Sequence, residues 1–122
     1  MSGPIASNVI GWRCAVCGTE VDIDAPLPWR CPEATAADRH HVLQIRRRTV
    51  SLSMLDDPNP FVAYGAELAW QAFALCNGLT AEGCQALVRQ FDERVASVDS
   101  TRTGFRETPF ARADALSDAL GF

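Results

Sequence analysis

Apolar and polar positions alternate in short runs through the first third of the chain and recur at helical spacing through the middle. Val9-Ile10, Val21-Asp22-Ile23 and His41-Val42-Leu43-Gln44-Ile45 are the short apolar runs, and the last two alternate as half-buried strands do. Pro26, Pro28 and Pro32 break the stretch between them, so residues 1–48 predict a small β-ribbon. Residues 49–57 predict a connector. Asn59 then offers a helix cap, and Pro60 suits the first helical position, where the missing N–H would have no partner. Phe61, Gly65, Leu68, Ala69, Ala72, Phe73 and Cys76 trace one helical face, and Asn77-Gly78 supplies a left-handed stop.

Thr80 caps a second predicted helix whose apolar stripe runs through Cys84, Leu87, Val88, Phe91, Val95 and Val98. Arg89, Asp92, Glu93 and Arg94 fall on its outer side. A connection as short as Asn77-Gly78-Leu79 predicts an antiparallel helical hairpin over residues 58–98. Residues 99–122 predict a polar loop and a short helix, about residues 111–120, that stops at Gly121. The expected fold class is α+β: β-ribbon, then helical hairpin, then short C-terminal helix.

Cys14-Ala15-Val16-Cys17-Gly18 adds chemistry to the ribbon. Two thiolates at this spacing can share one tetrahedral ion, and the glycine lets backbone N–H groups turn toward the sulfurs. Cys31 follows in Trp29-Arg30-Cys31-Pro32, but position 34, where a complete ribbon would repeat the pair, holds Ala34. His40 and His41 are the nearest substitutes, with Asp38 and Glu33 weaker ones. The metal reading is a structural zinc site on Cys14, Cys17, Cys31 and His41. The competing reading is a ribbon that has lost its metal and is held by Trp12, Trp29 and strand pairing. Cys76 and Cys84 read as small core residues, with no base beside them to make a nucleophile.

Composition narrows the function classes. The chain has 122 residues, 48% hydrophobic and 21% charged, which suits one modest domain or two small lobes. Its net charge of -4 gives no global attraction to nucleic acid or anionic membrane. The one basic run, Arg46-Arg47-Arg48, reads as a solvated or acid-pairing strand end. All 11 basic residues are arginine, which points to a GC-rich bacterial genome and excludes a lysine Schiff base on this chain. No signal peptide or membrane span is visible, and five cysteines without a secretory signal predict a cytoplasmic protein with reduced thiols or a metal.

Four features together resemble the N-terminal region of threonine synthase-like enzymes, in the tryptophan-synthase-β (fold type II) family of pyridoxal-phosphate enzymes. They are the Cys14-x-x-Cys17-Gly18 ribbon with Trp29-Arg30-Cys31-Pro32; Asp57-Pro58-Asn59-Pro60-Phe61 with Tyr64; the helical hairpin; and Gly104-Phe105-x-x-Thr108-Pro109-Phe110 ahead of Leu116-Ser117-x-x-Leu120-Gly121. In that family a catalytic core follows, with the cofactor lysine and a Gly/Ser-rich phosphate loop. This sequence stops at Gly121-Phe122, before either. The resemblance therefore implies no catalytic or cofactor-binding residue here, and pyridoxal phosphate only in a partner chain. It implies a small subunit or N-terminal fragment of a split lyase acting on amino acids, with Thr108, Pro109 and Phe110 on the partner or substrate side. Such a piece is expected to expose Phe105, Phe110, Leu116 and Leu120 to a larger lysine-bearing chain in a hetero-oligomer. The alternative is a free-standing zinc-ribbon and helical-hairpin module that binds protein or nucleic acid. An independent cysteine enzyme is disfavoured, because the sequence shows no base–nucleophile constellation.

Overall fold

The protein is described here by a computed structural model covering residues 7–26 and 28–121. It is a small α+β fold, with a three-stranded antiparallel sheet and several helices. The strands are β1 (Val9–Cys14), β2 (Glu20–Asp22) and β3 (Leu43–Arg47), ordered β2-β1-β3. Helices α1 (Pro60–Ala63), α2 (Ala69–Cys76), α3 (Ala81–Val98) and α4 (Asp114–Leu120) follow, with a 3-10 turn at Gly65–Glu67.

The central strand β1 runs further than its Val9-Ile10 run predicts. Its partners set the length: Trp12 pairs with Val21 on one side and Ile45 on the other. Gly11 lies at a break in the β1–β3 register, with φ 145°, where a side chain would collide with the Val21 carbonyl oxygen. Between β2 and β3 no strand or helix forms among the described residues, and the chain there turns through short local hydrogen bonds.

The first predicted helix is broken. Asn59 caps α1 by accepting from the Phe61 N–H at 3.0 Å, as its sequence position predicts. The helix then ends at Tyr64, and Leu68 is extended. The cause is tertiary. The Asn8 backbone N–H donates to the Ala66 carbonyl at 2.7 Å, and the turn sends Glu67 inward, where it is 6% exposed. There the Glu67 carboxylate accepts from the Ser53 N–H at 2.8 Å and from Asn8 Nδ2 at 3.2 Å, with Arg47 Nη1 3.5 Å away. Asn8 is itself fully buried and also exchanges bonds with the backbone of Thr49. This polar knot fastens the sheet to the helices, and every charge in it has a partner.

Because α2 restarts at Ala69, its buried face is Gln71 and Ala72, and Cys76 is exposed rather than on an inner face. Cys84 is fully buried, as expected of a core thiol. The Thr80 hydroxyl caps α3 by accepting from the Gly83 N–H at 3.0 Å. Only Cys84 and Val88 of its apolar stripe are buried, whereas Phe91 and Val98 are 62% and 85% exposed. Asp92 differs from its predicted place. It is half-buried and accepts from the Phe105 N–H at 2.5 Å, which holds the Phe105 ring edge-on to Phe61 with centroids 4.8 Å apart. No helix among the described residues is long and apolar enough to cross a membrane.

Candidate metal centre

The sheet brings the predicted ligands together by ordinary antiparallel pairing. Cys14 is the last residue of β1, opposite Leu43, so β3 delivers His41 two residues earlier to the same end of the sheet. Cys17 sits in the turn between β1 and β2. That turn is closed by the Cys14 N–H donating to the Thr19 carbonyl at 2.8 Å and the Gly18 N–H donating to the Cys14 carbonyl at 3.0 Å. Gly18 takes φ 76°, a left-handed conformation that glycine adopts without strain. Cys31 enters from the irregular stretch and makes its own tight turn, its carbonyl accepting from the Ala34 N–H at 3.0 Å.

One ligand atom from each of Cys14, Cys17, Cys31 and His41 lies within 4.8 Å of all the others. Cys17 Sγ and Cys31 Sγ are 3.5 Å apart, and Cys14 Sγ is 3.5 Å from His41 Nδ1. Zinc bonds of about 2.3 Å to sulfur and about 2.0 Å to nitrogen give tetrahedral edges of about 3.5–3.8 Å. The short edges already fit, and the widest needs to contract by about 1 Å. Three sulfurs and an imidazole are a soft donor set that suits zinc over magnesium or calcium. Four protein ligands leave no open position, which is the arrangement of a structural site.

The surroundings prepare these atoms for a cation. The Val16 N–H donates to Cys14 Sγ at 3.4 Å, and the Glu33 N–H donates to Cys31 Sγ at 3.4 Å. Glu33 therefore contributes backbone, not the carboxylate its sequence position offered. Cys17 Sγ lies 3.1 Å from the Thr19 hydroxyl. His41 turns Nδ1 to the sulfurs, while Nε2 lies 3.0 Å from Asp38 Oδ2. A carboxylate behind a ligating imidazole fixes its orientation and tautomer. Asp38 is thus a supporting group, not a ligand. His40 is outside the cluster and exposed. An acid three residues before a candidate histidine is the sequence signal for such a pair.

Electrostatics follow the same geometry. Thr19, through its hydroxyl and backbone N–H, lowers the Cys17 thiol to about 6. N–H groups of Cys17 and Val16 lower Cys14, whereas burial raises Cys31. The Cys17 sulfur first, then the Asp38 carboxylate, raise His41 to about 9. In the metal-free protein at pH 7, Cys17 is a thiolate beside a protonated His41. The sign follows from each shift. The lowered Cys17 stabilises the fold at high pH and loses that contribution as pH falls through about 6. The raised His41 stabilises it at low pH and loses that contribution as pH rises through about 9.

Metal uptake at pH 7 would therefore displace at least the Cys31 and His41 protons, two or more per ion. Calorimetric titration in buffers of different ionisation enthalpy is expected to show that release, with affinity falling steeply below pH 6 as Cys17 also protonates. Release near zero at pH 7 would mean that these groups are not the ligands. Replacing Asp38 by alanine is expected to weaken zinc by about 10–100-fold without changing the stoichiometry, measured by chelator competition.

Thr108, Pro109 and Phe110 lie outside this cluster, in exposed chain between α3 and α4. Of the Arg46–Arg48 run, Arg46 pairs with Glu20 at 3.1 Å and Arg47 with Glu67 at 3.5 Å. Comparison with known proteins gives no match to a family model, to a characterised protein or to a solved structure.

Proposed function

We propose that this chain is a zinc-stapled, non-catalytic part of a split fold, completing a larger chain that carries the catalytic lysine. In this reading β1–β3 serve as a zinc ribbon and α2 with α3 as a helical hairpin. The resemblance described above makes the partner a pyridoxal-phosphate-dependent, threonine synthase-like lyase of the cytoplasm, with this chain as its small subunit or N-terminal portion. In this reading the cofactor belongs to the partner, because these 122 residues include no lysine to hold it.

The observation that carries this reading is the uncovered apolar C-terminal region. Phe110 is completely exposed, Leu116 and Leu120 are 59% and 61% exposed one turn apart on α4, and no residue of α4 is buried. A helix of this length has little stability in water without packing, so its leucine stripe needs a surface to cover it. An apolar cleft between Phe61, Trp70, Leu87, Phe91 and Phe105 extends the same demand toward α3. Of the expected contact set, Phe105 is half-buried, its ring edge-on to Phe61.

The test is to express the chain alone and with a candidate lysine-bearing chain of this enzyme family. A stable complex with the visible absorption of lysine-bound cofactor is the expected result. A chain that stays monomeric beside every such partner contradicts the proposal. Retention on nucleic acid that weakens steeply with salt would instead support the free-standing module.

A further inference from the structure

The metal cluster contains its own oxidisable pair. Cys17 and Cys31 present their sulfurs 3.5 Å apart, and they differ sharply in access: Cys17 is exposed, whereas Cys31 is 1% exposed. Cys14, 2% exposed, also lies among these sulfurs, with its Sγ 3.5 Å from His41 Nδ1. The backbone bearing Cys17 is a turn, and that bearing Cys31 belongs to the stretch between β2 and β3 that lacks regular structure. Neither sulfur is anchored in a strand, so the approach of about 1.5 Å needed for an S–S bond of about 2.05 Å falls on loop backbone. Cys14, at the end of β1 and hydrogen-bonded across the sheet, lacks that freedom.

We propose that Cys17 and Cys31 form a reversible disulfide when a peroxide reaches the cluster, and that closing this bond expels the metal. The inference rests on the metal reading above and extends it to a redox-sensitive switch. The exposed Cys17 sulfur attacks one peroxide oxygen. An S–O bond forms, the O–O bond breaks, and the departing hydroxide takes a proton from solvent to become water. Cys31 sulfur then attacks the Cys17 sulfur; the S–S bond forms, the S–O bond breaks, and the second oxygen leaves as hydroxide and is protonated. Two thiolates have given two electrons and the peroxide has become two waters. The zinc stays divalent throughout. Only Cys14 and His41 remain as ligands, half of a tetrahedral set, and the ion leaves. Thiol reductant and zinc restore the site.

The measurement uses the zinc-loaded chain treated with hydrogen peroxide, with released zinc followed by a chromogenic chelator and disulfides located by non-reducing peptide mapping. The expected result is one zinc released per Cys17–Cys31 disulfide, reversed by dithiothreitol and added zinc. Zinc retained after oxidation, zinc lost without that disulfide, or a Cys14–Cys17 bond in its place would overturn the switch and leave the metal site standing. A reduced chain that never holds zinc would overturn both. Oxidation of the exposed Cys76 gives an internal contrast, because its modification is expected to leave zinc in place.

Discussion

Replacing Cys31 by serine is expected to abolish stable zinc binding and to unfold the sheet at neutral pH. Structural zinc contributes about 10–16 kcal/mol of apparent binding free energy in small domains, or roughly 2.5–4 kcal/mol for each of four ligands. Losing one thiolate should therefore weaken zinc by about a hundredfold, on the order of 3 kcal/mol. The structural consequence follows from where Cys31 sits. Among the described residues, the backbone of the stretch between β2 and β3 makes mostly local hydrogen bonds, such as Ala34 to Cys31 and Thr35 to Asp38, and meets β1 only near its far end, where the Ala15 N–H donates to the Val42 carbonyl at 2.8 Å. Through Cys31 the metal ties that stretch to β1 and its turn, and without the tie its ordering entropy is uncompensated. Circular dichroism and the fluorescence of the half-buried Trp12 should shift toward unfolded values, and excess chelator should reproduce the change in the native protein. A serine variant that keeps both its zinc and its sheet would contradict the ligand assignment.

The second large effect is expected at Asn8. Replacing it with aspartate changes no volume, yet it sets a carboxylate against the buried Glu67 carboxylate in place of the amide that now donates to it. The bonds from Asn8 Nδ2 to the Thr49 and Ser51 carbonyls are lost as well. Breaking a buried charged pairing in this way costs about 3–5 kcal/mol, a midpoint lower by roughly 10 °C or more for a domain of this size. The sign of its pH dependence is distinctive. A like charge beside it raises the introduced carboxyl group above its unfolded value, so the penalty is greatest at neutral pH and shrinks as the pH falls and a proton is taken up. Thermal melts of N8D against the native chain between pH 7 and pH 4 check this; a penalty that does not change with pH would mean that Glu67 and Asn8 do not meet as described.

Asn8 also marks the limit of what could be read from the sequence. Local patterns found the strands, the caps at Asn59 and Thr80 and the helix stop at Gly121, because each depends on neighbours a few residues away. The break at residues 64–68 depends on Asn8, dozens of positions earlier, and the apolar spacing runs through it uninterrupted. The same restart moved Cys76 outward. Asp92, placed with its charged neighbours on the outer face, turned out to hold Phe105, a contact made by chain that periodicity within α3 says nothing about. At the candidate metal centre the cysteine spacing named three of the four residues that cluster, and the missing cysteine at position 34 directed attention to the histidines. The zinc reading named His41 as the fourth member; the register of β3 against β1 is what carries it to the cluster, and only the structure places Asp38 behind it. The exposed half of the α3 stripe has a different origin: its pattern is that of a buried helix, and the described chain supplies no element to bury it.

Cys14, Cys17, Cys31 and His41 are proposed to bind one tetrahedral ion. X-ray absorption at the zinc edge of the purified, reduced protein measures this directly. The predicted result is one zinc per chain with three sulfur neighbours at about 2.3 Å and one nitrogen at about 2.0 Å, and a sulfur count reduced by one in each single-cysteine variant that still binds. A protein that takes up no zinc, or a bound ion surrounded mainly by oxygen, would contradict it.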